Sequence, residues 1–110
     1  MSGNATLLGK PIEFIATAGV NEKYVGIELI AYIQMARAIL AKYPHDLLVF
    51  SMADDKHLQV KLAGYHLQTE ALDETTVVFK TESLHIDTFW LKVDDYSDKY
   101  VATFLFPDEY

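Results

Sequence analysis

Residues 21–43, NEKYVGIELIAYIQMARAILAKY, carry the longest helical periodicity in the chain, and they are apolar on two sides instead of one. With Leu29 set at zero and roughly 100° per residue, Val25, Tyr32, Ile33, Ala36, Leu40 and Tyr43 fall within about 60° of it, which is a stripe fit for a core. The opposite side carries Tyr24, Ile27, Ala31, Gln34, Met35, Ala38 and Ala41, with charge only at Lys23 and Lys42. A solvated back face would be mostly Glu, Lys and Arg, so a helix of this kind requires cover on both flanks. Asn21 as N-cap and Glu22 in the first turn mark its start, and Lys42 with Pro44 just beyond marks its end.

The rest reads as strands. Residues 12–17 (IEFIAT) are short, β-branched and apolar, with Ala18-Gly19 as the break before the helix. After Pro44, residues 47–52 and 57–62 form a hairpin about the turn 53–56, with Leu58, Val60 and Leu62 inward and His57, Gln59 and Lys61 outward. Gly64 reads as a bend in one long strand that resumes with Leu67, Thr69 and Ala71 inward. Asp73-Glu74 turns the chain into 76–81, where Val77 and Phe79 face in and Lys80 out. In 84–93, Leu84 and Ile86 occupy even positions but Phe89, Leu91 and Val93 odd ones. That parity break predicts a bulge or local twist at Asp87-Thr88, with Trp90 and Lys92 pointing away from the core. Residues 99–106 return with Tyr100, Ala102, Phe104 and Phe106 inward, and Pro107 ends the strand. The expected architecture is a single α+β domain over 1–110. One long helix packs on, or is wrapped by, a curled antiparallel sheet of about five to six strands, in the order β-α-β-β-β-β-β.

Composition narrows the function classes. The absence of cysteine excludes a disulfide framework, thiolate zinc sites and a cysteine nucleophile. MSGNATLLGK has no basic segment followed by an apolar run, and no stretch of about 18 apolar residues occurs, so neither export nor membrane spanning is signalled; a cytoplasmic protein is the expectation. A net charge of -7, with nine basic residues spread singly, argues against nucleic acid as a partner. Asp94, Asp95, Asp98, Asp108 and Glu109 face one lysine, Lys99, over 93–110, an acidic pole suited to solubility or to a basic partner.

Tempting chemistries fail on spacing. Ser83, His85 and Asp87 share a strand face, but neighbours on that face sit about 6.6 Å apart along a strand, too far for a hydrolytic triad. His85 and Asp87, with His57 and His66 on the same expected outer face, are too dispersed to supply converging metal ligands, and His45 reads as a complement to the helix dipole. GNATLLGK has the wrong glycine spacing for a phosphate loop, residues 94–98 lack the glycine of a calcium loop, and Asn4-Ala5-Thr6 is a sequon without an export signal. Glu13 alternates with Ile12 and Phe14, where it serves as an edge guard or, if desolvated, as an acid or base in a pocket.

These readings leave no catalytic residue, metal ligand or cofactor assigned. The sequence points to a non-enzymatic protein-interaction module that self-associates, as a homodimer or higher oligomer, through the apolar back face at Tyr24, Ile27, Ala31, Met35 and Ala38, with the acidic pole as a secondary contact. The alternative is a small apolar ligand held between helix and sheet beside the helix tyrosines. An enzyme would require two of Glu13, His57, His66, His85 and Asp87 to converge in a concave site.

Overall fold

A computed structural model describes residues 5–71, 75–81 and 85–110. The turn expected at Asp73-Glu74, the residues Ser83 and Leu84, and Gly3 and Asn4 of the amino-terminal motifs lie outside the described residues. Strands β1 (Thr6–Leu7) and β2 (Lys10–Ala16) form a hairpin; helices α1 (Ala18–Lys23) and α2 (Ile27–Lys42) follow. Then come β3 (His45–Asp54), β4 (His57–His66), β5 (Thr75–Lys80), β6 (Phe89–Asp95) and β7 (Tyr100–Leu105), with a 3₁₀ turn at Pro107–Glu109. The fold is α+β, but its sheet has seven strands in the order β1-β2-β7-β6-β3-β4-β5, where five to six antiparallel strands were expected. The extra strand is β1, two residues long and too short to show periodicity. The sheet is also mixed, because β7 lies parallel to β2, from Ile12 opposite Tyr100 to Ala16 opposite Phe104. Alternation reveals which face a residue occupies and says nothing about which strand lies beside it.

The expected helix over 21–43 is two helices. Gly26 takes φ 60° and ψ -118°, a conformation open to a residue without Cβ, and it separates α1 from α2. Thr17, not Asn21, caps α1, its Oγ1 accepting from the Val20 N–H at 3.4 Å. Ala18-Gly19 is the first turn of α1 and not a break. Asn21 sits inside that helix, its side chain donating to the Ala16 carbonyl at 3.3 Å.

The elbow decides which side chains reach the core. Tyr24, in extended backbone (φ -117°, ψ 101°), swings inward and is 2% exposed, whereas Val25 beside it is 62% exposed. On α2 the buried residues are Tyr32, Ala36, Ile39 and Leu40, an arc centred roughly 35° from Leu29. Leu29, Ile33 and Tyr43 are half-buried at its margin.

Opposite the helices the sheet presents Leu48 and Phe50, Leu58, Val60 and Leu62, Phe89, Leu91 and Val93, and Ala102 and Phe104, all buried. Register joins them: Phe50 pairs with Val60 and Phe89, and Leu91 with Leu48 and Phe104. At the centre Phe89 stacks on Phe50 (4.7 Å between ring centres, 14° between planes) and touches Tyr32 (5.1 Å) and Tyr24 (5.5 Å). Neither α1 nor α2 covers the other sheet face. Its middle holds Val49, Trp90 and Leu105 in register, with Tyr110 brought back to 5.7 Å from the Trp90 ring.

Two sheet irregularities differ from expectation. The parity break before β6 marks a strand end and not a bulge: β6 begins at Phe89, Ile86 is buried ahead of it, and the Asp87 N–H donates to the Tyr24 hydroxyl at 2.9 Å. Gly64, with φ 74°, lies within β4 as a bend, and a side chain there would collide with the Asp46 carboxylate. The strand does not resume beyond it, since β4 stops at His66 and a turn follows, closed by Glu70 N–H to the His66 carbonyl at 2.9 Å.

Tyr24 and Tyr32 differ in one respect that stability measurements can read. Burial raises the pKa of both phenols above their ordinary value, but the Tyr24 hydroxyl is bonded to Asp87 while the Tyr32 hydroxyl is buried without a partner among the described residues. Tyr24→Phe is therefore expected to lower unfolding stability by about 1 kcal/mol and Tyr32→Phe to leave it unchanged or raise it by up to about 1 kcal/mol in denaturant titration. Equal losses for both would contradict this assignment. Gly26→Ala, forced into positive φ in otherwise open space, is expected to cost about 1 kcal/mol in the same assay.

Candidate functional site

The surface of α2 away from the sheet is built by the elbow. Below Gly26 the outward residues at helical spacing are Ile27 (81% exposed), Ile30 (54%), Gln34, Ala38 and Ala41, joined at the top by Val25. One polar residue interrupts this stripe. Of the five surface residues expected from the sequence, Ile27 and Ala38 are exposed, and Ala31 and Met35 are half-buried on the shoulder. Tyr24 is in the core, because the helix in which it would have faced outward is broken two residues later. Ile30 was not anticipated. A helix wheel centred on the large residues Tyr32 and Ile39 instead of Leu29 would have placed it outside.

The charges of α2 are segregated along its length. Glu28 lies in the first turn, and Arg37 and Lys42 lie in the second half, an order that also complements the helix dipole. On α1, Lys23 is paired with Asp87 at 2.8 Å, which raises the ammonium pKa above its ordinary value through that hydrogen bond and charge.

The five acids expected to make one pole stand in two groups. Asp94, Asp95 and Asp98 surround the β6–β7 turn, whereas Asp108 and Glu109 follow the far end of β7, whose six residues at about 3.3 Å each separate the groups by roughly 20 Å. Three of them have partners within the chain. Asp95 meets Lys10, Asp94 lies 3.3 Å from Lys92, and Glu109 accepts from the Phe106 N–H at 2.8 Å and the Thr17 hydroxyl at 2.7 Å.

The titratable groups singled out for chemistry are engaged separately. Glu13 is exposed and 3.1 Å from Lys99. His57 lies 2.8 Å from Asp54, whose carboxyl is held below its ordinary pKa by the Lys56 N–H and then by that histidine. His66 accepts the Gln68 and Thr69 N–H groups on Nδ1 at 3.1 and 3.3 Å, which places its proton on Nε2. His45, expected at the helix exit as a dipole partner, is 1% exposed, its ring 5.7 Å from that of His66 and its Nδ1 unbonded. His85 is exposed. Among the described residues no three His, Asp or Glu side chains gather as metal ligands, and no helix is long and apolar enough to cross a membrane.

Among the described residues three clefts adjoin α2, one of them, of about 540 Å³, reaching Ile33 and Arg37 of the helix and Glu13 of β2. Another, of about 360 Å³, lies between the helix and the β1–β2 hairpin, lined by Leu7, Ile12, Phe14 and Ala38 among others; the third, of about 470 Å³, runs between the carboxyl half of the helix and β5. The space directly beneath α2 is filled by the rings of Tyr32, Phe89 and Phe50. Comparisons with protein families, with curated proteins and with solved structures return no match to this chain.

Glu109 fastens the chain end to the start of α1, and its carboxyl is held below the ordinary value of 4.5 first by the Phe106 N–H and then by Thr17. A depressed acid contributes stability above its unfolded pKa and loses it as pH falls through the folded value. Glu109→Gln is thus expected to melt at a lower temperature than the parent at pH 7, with the gap narrowing as the pH is taken below 4.5. A gap independent of pH would show that charge on Glu109 plays no part.

Proposed function

We propose that this chain is a non-enzymatic interaction module whose partner is a second copy of itself, docked along the outer stripe of α2. The observation that carries the reading is Ile27, 81% exposed and continuous with Val25 and Ile30, in a chain whose other large aliphatic side chains are mostly covered. Ala31, Ala38 and Ala41 leave room for a second backbone to approach at the 8–10 Å typical of packed helices. The charge order supports a copy of the same chain. Two α2 helices crossing antiparallel near Gln34 bring Glu28 of each toward Arg37 and Lys42 of the other and oppose the two helix dipoles. Such a contact is isologous and closes as a dimer.

The cleft beside the β1–β2 hairpin supports a second reading, an apolar ligand held against Leu7, Ile12 and Phe14. A ligand bound there at 100 times its dissociation constant would add about 2.7 kcal/mol of stability, so thermal-shift screening separates the readings.

Ile27→Asp tests the main one. Ile27, 81% exposed, contributes almost nothing to the core of one molecule, so the variant is expected to stay folded and to lose the helix-to-helix contact. Because the contact is isologous, both copies lose an isoleucine at about 2 kcal/mol each, which corresponds to a rise in dimer dissociation constant on the order of a thousandfold, read by sedimentation velocity across a concentration series. An association constant unchanged by Ile27→Asp would remove the helix-to-helix contact.

A further inference from the structure

The two edges of the sheet are finished differently. On one side β1 pairs with Lys10 and Pro11 of β2, the Ile12 N–H donates to the Ala5 carbonyl at 3.0 Å, and the remainder of β2 begins with the ion-paired Glu13. Proline and charge are the usual devices that keep an edge from pairing with another chain. On the other side β5 bonds to β4 along six residues, from His57 opposite Lys80 to Leu62 opposite Thr75, and is the last strand in the order. Its sequence, TTVVFK, is five β-branched or aromatic residues and a terminal lysine. Nothing in residues 75–79 opposes pairing. No described strand pairs with its other side, where main-chain groups accept an extended backbone.

We propose that this edge pairs with the same edge of a second copy, antiparallel, about a two-fold axis at Val77, so that the sheet continues from one molecule into the other. This is a contact separate from the helix stripe and does not rest on it. Three observations favour a copy of the chain over an unrelated strand. First, Thr75, Val77 and Phe79 face the helix layer, whereas Thr76, exposed Val78 (54%) and Lys80 face away. A two-fold axis perpendicular to the sheet preserves those sides, so helix layer meets helix layer. Second, the register about Val77 matches large with small: Val77 meets Val77, Phe79 meets Thr75, and Val78 meets Thr76, with Phe79 of each copy entering the 470 Å³ cleft between β5 and α2 of the other. Third, in the sequence the strand is preceded by the acids Asp73-Glu74 and closes on Lys80, so its two ends carry opposite charge. Antiparallel pairing sets unlike ends together, and a parallel neighbour would set like against like.

The absence of cysteine from the chain makes the register directly testable. Single-cysteine variants Val77→Cys and Val78→Cys are oxidised under dilute, native conditions and run without reductant. The two-fold register gives a linked dimer for Val77→Cys and little for Val78→Cys, although Val78 is the more exposed of the two. Val78→Lys, a change at an exposed position that leaves the monomer core intact, is expected to remove one step of association in sedimentation. The helix contact is kept apart by repeating both measurements on an Ile27→Asp background, where linking through Val77→Cys is expected to persist and the added Val78→Lys to leave a monomer. Linking of Val78→Cys as readily as Val77→Cys, or a mass unchanged by Val78→Lys on that background, overturns the proposal. Loss of association in Ile27→Asp alone, with Val77→Cys then unlinked, overturns it while leaving the helix contact standing.

Discussion

The turn at Tyr24-Val25-Gly26 is the constraint on which the rest of the structure depends. In one continuous helix Tyr24 would sit some 220° around from Leu29, on the side away from the core. Positive φ at Gly26 lets α1 end early and sends the Tyr24 ring inward, onto Tyr32 at 5.2 Å and Phe89 at 5.5 Å. There its hydroxyl binds the main chain at Asp87, just before β6 begins, and so places Phe89 at the centre of the aromatic cluster. A glycine in a helical pattern costs about 1 kcal/mol relative to alanine. Here the break also buries a tyrosine that an unbroken helix would have left in water.

The same elbow leaves Val25, Ile27 and Ile30 outside, so core and candidate contact surface arise from one backbone event. A second fastening holds α1 from its other end. The Thr17 N–H donates to the Phe104 carbonyl at 3.0 Å where β2 runs beside β7, and Glu109 returns to the Thr17 hydroxyl. Gly19 lies against this fastening: a Cβ there would stand 2.6 Å from the Glu109 carboxylate, which would have to shift. The first and last parts of the chain are thus joined both through the parallel strand pair and through a helix start, which fixes how α1 and therefore α2 lie over the sheet.

Much of the sheet was legible. Alternation identifies Leu58, Val60 and Leu62, the half-buried Val77 and Phe79, and Tyr100, Ala102 and Phe104 as one inward face, because period two is imposed by the pleat whatever the partner strand. Strand order was not legible: nothing in 10–16 or 100–105 states that these segments lie side by side and parallel. The break at Gly26 was hidden because helical periodicity tolerates a glycine, and whether that residue takes positive φ is settled by where Tyr24 packs. Local reading also joined Asp98 to Asp108 as one pole, although a whole strand stands between them. At the site, Ile27 and Ala38 could be read from the wheel. Tyr24 could not, and Ile30 was lost to a centre misplaced by roughly 35°.

The described ion pairs are distributed so that they orient surfaces without deciding whether copies meet. Lys10 with Asp95, Lys92 with Asp94, Lys99 with Glu13 and Lys23 with Asp87 lie at the surface, half-buried or exposed, and are closed within one molecule, where water and salt weaken them. What remains is a net charge of -7 that repels a second copy at a distance, and at physiological ionic strength that repulsion is largely screened beyond about 8 Å. Inside that range the apolar stripe of α2 and the free backbone of β5 are the groups with most to gain from leaving water, the first by area and the second by hydrogen bonds. In the proposed helix contact, Glu28 against Arg37 would favour the antiparallel arrangement. For the proposed contacts this would leave affinity to the uncharged surfaces and orientation to the charged ones, in keeping with the small net worth of solvent-exposed pairs.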